Sequence, residues 1–314
     1  MRKGTKILFL ALILAAAAAL VLRYGPSFGL YMIPPTPKQY AAQAMSFADQ
    51  GIYAGGGEWS AARAAAMKKA ADCRSYEETY PVIREALKAA GGKHSSLRTP
   101  ETVKEELREQ TLPECSLDDG ILTLRLPPCT MNSGKSEAYT AAVLTVLRDR
   151  RDEIRGVILD LRDNTGGDMG PMVAAVSPLL DDGTVLQFDV AGSRQDVTLS
   201  GGVVAGGGSR TEVEDLEKLS VPVAVLQNGM TASSGEAVLL CFKGMDHVRF
   251  FGSDTAGYCS VNNVRTLYDG ARIQLTIGSD VDRTGRIYCE DPIPPDVVTD
   301  RPAEDAAAWI LQNS

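Results

Sequence analysis

Val221-Pro-Val-Ala-Val-Leu-Gln-Asn-Gly-Met-Thr-Ala-Ser-Ser-Gly-Glu-Ala-Val-Leu-Leu-Cys-Phe-Lys243 reads as a strand, a turn and a helix in sequence. Val221 to Gln227 is a short β-branched and aliphatic run, the pattern of a buried strand. Glu236 to Lys243 has the composition of the first two turns of a core helix. A serine at position 233 therefore projects its hydroxyl at a helix N-terminus. Unpaired N–H groups and the positive end of the helix dipole favour a developing oxyanion there. The same turn also fits a plain helix cap, because Thr231, Ser233 and Ser234 are of the types preferred at that position.

The neighbouring segments weigh against a cap alone. Arg155 to Leu161 is a second buried strand, and it runs directly into Asp160-Leu-Arg-Asp-Asn-Thr-Gly-Gly-Asp168. The Gly166-Gly167 pair lets the backbone turn sharply and aim its N–H groups into a cleft. Around these two units, strands alternate with helices. Gly120 to Leu126 alternates as a strand, and Ser136 to Arg151 is an amphipathic helix. Gly170 to Leu180 returns as a helix, His247 to Phe251 as a strand and Ala303 to Leu311 as a closing helix. Thr266 to Ile277 is a hairpin turning on Asp269-Gly270. The alternation predicts an α/β fold with a largely parallel sheet, whose sites gather at the carboxyl ends of strands. Both turns lie at such ends. Gly192 to Arg210, rich in Gly and Ser, reads as a mobile, cap-like excursion around 185–215 within a core spanning 115–314.

Upstream, residues 34–112 form a helical domain, with helices over Glu58–Ala71, Tyr76–Ala90 and Thr102–Gln110 broken at Gly55–Gly57 and Gly91-Gly92. Arg2, Lys3 and Lys6 make residues 1–6 a basic, cytoplasmic flank. It precedes an apolar run from Ile7 to Leu22 that is closed by Arg23. Those 16 residues extend roughly 24 Å against a hydrocarbon core of about 30 Å. With Lys6 and Arg23 snorkelling, residues 7–23 read as an uncleaved transmembrane anchor with the remaining chain outside the cell. A cleaved signal peptide expects small residues after the apolar core, and here Ala15 to Ala19 lie inside it.

At 314 residues and 44% hydrophobic, the chain can bury a large core, while its charge of −8 argues against a nucleic-acid partner. The six cysteines show no Cys-x-x-Cys spacing, so no metal and no cofactor are expected. Cys115 and Cys129 flank one strand and can pair, whereas Cys241 falls in the core helix as a buried thiol. A nucleophilic serine needs a base, and imidazole is the usual one. His247, in Gly244-Met-Asp-His-Val248, sits between the core helix and the next strand. That leaves His94, at the end of the helical domain, as the better partner.

The runs Asp160 to Gly167, Thr231-Ala-Ser-Ser-Gly-Glu236 and Gly252-Ser-Asp-Thr-Ala-Gly257, with the tail ending Pro292-Ile-Pro-Pro-Asp296, resemble the C-terminal-processing and tricorn-core serine peptidases. That resemblance, covering about His94 to Val298, implies a crotonase-like core. Within the group the chain looks like the nisin-resistance proteins, and the likeness then extends over nearly its whole length. It rests on the N-terminal anchor, Gly91-Gly-Lys-His-Ser95, Ser177 to Gly183, Cys241-Phe-Lys-Gly244 and Gly252 to Tyr258. Those proteins are membrane-anchored peptidases that cut the C-terminal tail from a lantibiotic outside the cell, so the implied partner is a cationic lantibiotic-like peptide.

Carried onto this chain, the resemblance implies Ser233 as nucleophile and His94 as general base. The oxyanion hole would be the N–H of Ser234 with one from Gly166 or Gly167. Asn164, Thr231 and Tyr258 are candidate substrate-binding residues, and Glu290 matches the glutamate of the tricorn core. Processing peptidases place a lysine after the Ala256-Gly257 step, where this chain has Tyr258-Cys259, so a serine–lysine dyad is not expected. No peptide-binding PDZ module is legible in residues 34–115. Asp163, Asp168 and Asp254 offer acidic groups to a cationic tail. Two other readings stay open: a general tail-trimming peptidase of the envelope, and a peptide- or lipid-binding protein of the same fold without turnover.

Overall fold

The computed structural model describes residues 3–25, 32–106, 110–130 and 133–314. They group into two compact units, residues 104–262 with 277–314, and residues up to 103 with 263–276.

The larger unit is built on a six-stranded sheet. Its order is Val297–Val298, Val248–Gly252, Val223–Gln227, Gly156–Asp160, Ile121–Arg125 and Glu114–Asp118. Every neighbouring pair is parallel except the last, which is antiparallel. All five residues of Gly156–Asp160 and of Val223–Gln227 are buried, as expected of strands covered on both faces. On one face Val157, Leu159, Val223 and Val225 pack against the helices Ser133–Asp149, Met169–Ala175 and Ser234–Phe242. On the other, Ile158, Ala224 and Leu226 meet Ala306 and Ile310 of the helix Pro302–Asn313. Because the two central strands are parallel, with Leu159 opposite Val225 and Asp160 opposite Leu226, both loops that follow them leave from the same edge.

The segment expected to be a mobile excursion forms an antiparallel meander of Gly183–Val190, Ser193–Ser200, Val203–Ala205 and Thr211–Glu212. Its glycines sit at the turns. Val197 and Leu199 bury one face of a strand whose polar residues hid the alternation. Ser279–Val281 extends this layer beside Gln187–Asp189, and Ile287–Tyr288 pairs with Asp280–Val281.

The smaller unit contains the helices Pro37–Ala48, Gly57–Ala70 and Tyr76–Gly91. Thr36 and Gln39 form a reciprocal capping box on the first. The sequence assigned the 266–277 hairpin to the core, but the structure groups 263–276 with these helices. The Asp269 carboxylate accepts from the hydroxyls of Tyr40 at 2.9 Å and Tyr80 at 2.5 Å. In addition, Ser96–Arg98 pairs antiparallel with Arg272–Gln274. The helix expected over Thr102–Gln110 spans Pro100–Glu106, and residues 107–109 lie outside the described residues.

Residues 7–23, expected as an anchor, belong to the helix Lys3–Tyr24, while Arg2 lies outside the described residues. Leu8, Phe9, Leu12 and Leu14 of that helix are exposed, yet among the described residues no helix is long and apolar enough to cross a membrane. The sequence left open whether Cys115 and Cys129 pair, and in the structure they do not. Both are thiols, Cys115 Sγ donating to Ala142 O and Cys129 Sγ to Thr130 O.

Candidate active site

Ser233 lies where the strand Val223–Gln227 has ended and the helix Ser234–Phe242 begins, with φ +54° and ψ −124°. A residue with a β-carbon pays about 1–3 kcal/mol to occupy such a region, and persists there when its surroundings over-determine it. Here the surroundings are specific. Glu236, fully buried one turn into the helix, accepts the Ser233 N–H at 3.0 Å. It also accepts Gly257 N–H at 2.9 Å, Tyr258 N–H at 2.7 Å and the Thr255 hydroxyl. One carboxylate thus ties the serine turn to the 255–258 loop. Sequence reasoning missed this role, although the signal was present: Ser233-x-x-Glu236 is the spacing of a capping box.

The loop after Asp160 packs against this turn. Gly166 and Gly167 have φ of +104° and +118°, and a β-carbon on Gly166 would stand 2.8 Å from that of Ser233. Gly166 donates its N–H to Asn164 Oδ1 at 2.9 Å, so of the two alternatives that N–H is already committed. The Gly167 and Ser234 N–H groups have no acceptor among the described residues. The two residues are joined through their other atoms, Ser234 Oγ donating to Gly167 O at 2.7 Å. Two uncommitted N–H donors beside a strained serine can receive the oxygen of a polarised carbonyl.

Several expected contact residues prove to be internal struts. Asn164 is fully buried and donates to Leu126 O at 2.9 Å, while its own carbonyl accepts Ala232 N–H. Thr231 is fully buried and donates to Leu161 O at 2.9 Å. Asp168 is buried too, capping the helix Met169–Ala175 and accepting Ser209 N–H at 2.8 Å, so it offers no surface charge. Their chemistry is spent holding the loops because those loops leave the sheet and must satisfy their backbone groups internally. Tyr258 is partly exposed, as is Glu290, whose backbone O would stand 2.8 Å from a β-carbon on Gly257. Asp163 and Asp254 are exposed.

The histidines separate clearly. His247 precedes the strand Val248–Gly252 and its carbonyl accepts Val223 N–H at 2.9 Å, which places it at the start of the five-residue strand whose far end leads to Ser233. That strand is roughly 16 Å long, so His247 cannot serve Ser233. His94 belongs to the smaller unit. It follows the helix break at Gly92 (φ +75°), and Gln274 Nε2 donates to its carbonyl. Burial pushes its imidazole pKa down to about 4, with the positive charges of Arg98 and Lys93 adding to the effect. Among the described residues no cluster of side chains could hold a metal ion.

Residues 121–299 match the family description "Peptidase family S41". The chain is 36% identical to the nisin-resistance protein of Lactococcus lactis subsp. lactis over 99% of its own length and 98% of the relative's. A solved structure of a lipoprotein from Streptococcus agalactiae, 31% identical, superposes with a TM-score of 0.83 over 90% of this chain and 99% of that one. The photosystem II D1 C-terminal processing protease shares the fold at a TM-score of 0.55 and 17% identity, over 85% of this chain and 94% of that one. With the strained serine and its two open N–H donors at the edge of a parallel sheet, these likenesses establish that the chain belongs to peptidase family S41, a family of serine peptidases.

Proposed function

We propose that this chain is an endopeptidase that removes the C-terminal tail of a nisin-like lantibiotic, with Ser233 as nucleophile and His94 as general base. The observation that carries the chemistry is the Ser233 backbone at φ +54° beside the open Gly167 and Ser234 N–H groups. His94 is the remaining histidine once His247 is set aside at the far end of the strand. Tyr258 stands where a dyad lysine would be, which supports the same assignment. With a pKa of about 4, His94 is neutral at physiological pH and able to accept a proton. It takes the Ser233 proton as the oxygen attacks a backbone carbonyl. The Gly167 and Ser234 N–H groups hold the oxyanion, and the resulting imidazolium protonates the leaving amine. Water then releases the acyl-enzyme by the reverse sequence.

The identity to the Lactococcus protein over nearly both full lengths supports the lantibiotic assignment. Asp163 and Asp254 are exposed carboxylates on loops of the Ser233 edge and suit a cationic tail. We read the core as crotonase-like from its parallel sheet and alternating helices. We further place the protein at the cell membrane through the exposed apolar side chains of Lys3–Tyr24, its catalytic part outside. Mass spectrometry of nisin incubated with the full chain and with Ser233→Ala tests the reading. Loss of a C-terminal fragment with the parent alone is the expected result. Intact nisin alongside cleavage of other unstructured tails would move the assignment to general tail trimming, and no cleavage of any peptide would overturn catalysis. Cell fractionation tests the location, release of the protein in a soluble fraction being the contrary outcome.

A further inference from the structure

Behind the Ser233 turn, Glu236 is not the only buried carboxyl group. Asp280, on the strand Arg272–Val281, is 3% exposed, and its Oδ1 accepts no hydrogen bond. Its backbone is flanked by Phe188 on one side and Tyr288 on the other. The ionisable groups facing it are Glu236 and Cys241 of the serine helix and Cys259 of the following loop, whose thiol lies within the fields of both carboxylates and of Cys289. Tyr288 gives its hydroxyl to Asp282 at 2.8 Å, and Asp189 is paired with Arg194. The nearby cation, Arg283, donates through Nε to Cys241 O and leaves Nη2 without an acceptor.

Two buried carboxylates that act on one another cannot both stay ionised unless each is compensated. Their hydrogen bonding is unequal. Glu236 has four donors, three of them backbone N–H groups, whereas nothing donates to Asp280 Oδ1. The charge therefore settles on Glu236 and the proton on Asp280. We propose that Asp280 is carried as a neutral carboxylic acid that leaves Glu236 the single negative charge behind the Ser233 turn, so that Asp280 is a positioning residue whose ionisation loosens the serine and turns the peptidase off in alkaline solution. Burial, and then the Glu236 charge, push the Asp280 pKa up to about 8, in agreement with the unequal donors. Ionisation puts a second negative charge against Glu236, and the bonds that hold Ser233 at positive φ weaken with it. The inference rests on Ser233 being the nucleophile, but the state of the Asp280 proton is readable without turnover.

The test is the pH dependence of kcat and KM for the parent and for Asp280→Asn, with infrared spectra of both over the same range. For the parent, kcat is expected to fall about tenfold per pH unit above about pH 8, with KM little changed. Asp280→Asn, which cannot ionise, is expected to hold its kcat flat over that range. The same alkaline fall in both proteins overturns the proposal. Should Asp280→Asn fail to fold, the parent's infrared spectrum decides. A protonated-carboxyl C=O band lost around pH 8 supports the assignment, and no such band at neutral pH overturns it. A titrating band in a protein that cleaves nothing would retain the proton on Asp280 and reject the peptidase reading instead.

Discussion

The two loops of the candidate site reach unusual backbone geometry by opposite means. After Gly156–Asp160, the chain turns through Gly166 and Gly167 at φ of +104° and +118°, a region glycine enters without strain. After Val223–Gln227, the turn puts Ser233 at φ +54°, where a β-carbon is unfavourable. A glycine there would relax the backbone and remove the hydroxyl. The strain is tolerated because Glu236 fastens the Ser233 N–H and the 255–258 loop to one point. The first loop leaves an N–H open and needs no side chain to do so. The second carries the proposed nucleophile and cannot do without a side chain.

Substitution at each loop separates these two economies. The largest expected effect is on Ser233→Ala, whose turnover should drop by roughly 10⁵-fold or more with the fold intact. Activity near the parent level in a tailed-peptide assay would break the assignment. Next comes Gly167→Ala. Its β-carbon would fall 1.9 Å from Cys129 O, so the loop must move and its N–H with it. Turnover should fall by about 10²–10³-fold, the cost of one misplaced oxyanion donor, and a variant with normal kcat would exclude that N–H from the hole.

The proposed base, His94, is expected to give a smaller, pH-dependent effect. With burial holding the His94 pKa at about 4, below the ordinary imidazole value of 6.5, kcat/KM should stay level as pH falls from 7 to about 5 and decline only near 4. An acid limb centred near 6.5 would contradict a buried, neutral base. The linked stability has the same sign. The unfolded chain binds the proton first, so stability present above about pH 6.5 is lost as pH falls toward 4, measurable by denaturant melts. The smallest effect carries the sharpest contrast. Ser233→Gly should be inactive yet more stable than Ser233→Ala by about 1 kcal/mol, a few degrees in Tm, since it removes the strain alone. Equal stability would mean that Ser233 is not strained.

The features legible from residue order alone are those that depend on local pattern. Apolar runs marked the central strands, and Gly166-Gly167 and the Ser233 turn marked the places where strands give way to helices. Parallel alternation put both turns at one edge, and the structure keeps that arrangement. Which polar groups are consumed and which stay open depends on contacts between distant segments. Asn164, Thr231 and Asp168 read as site residues but are consumed by backbone partners far along the chain, Leu126, Leu161 and Ser209 among them. Glu236, whose capping spacing was legible, gathers donors 19 to 22 residues away that no local period could reveal. The 263–276 arm joined the helical unit because Asp269 meets Tyr40 and Tyr80 across more than a hundred residues of sequence. Periodicity reports which face of an element is buried. Which donor meets which acceptor is set by long-range packing, and that step gives the strand-to-helix turn its strained serine and open N–H groups.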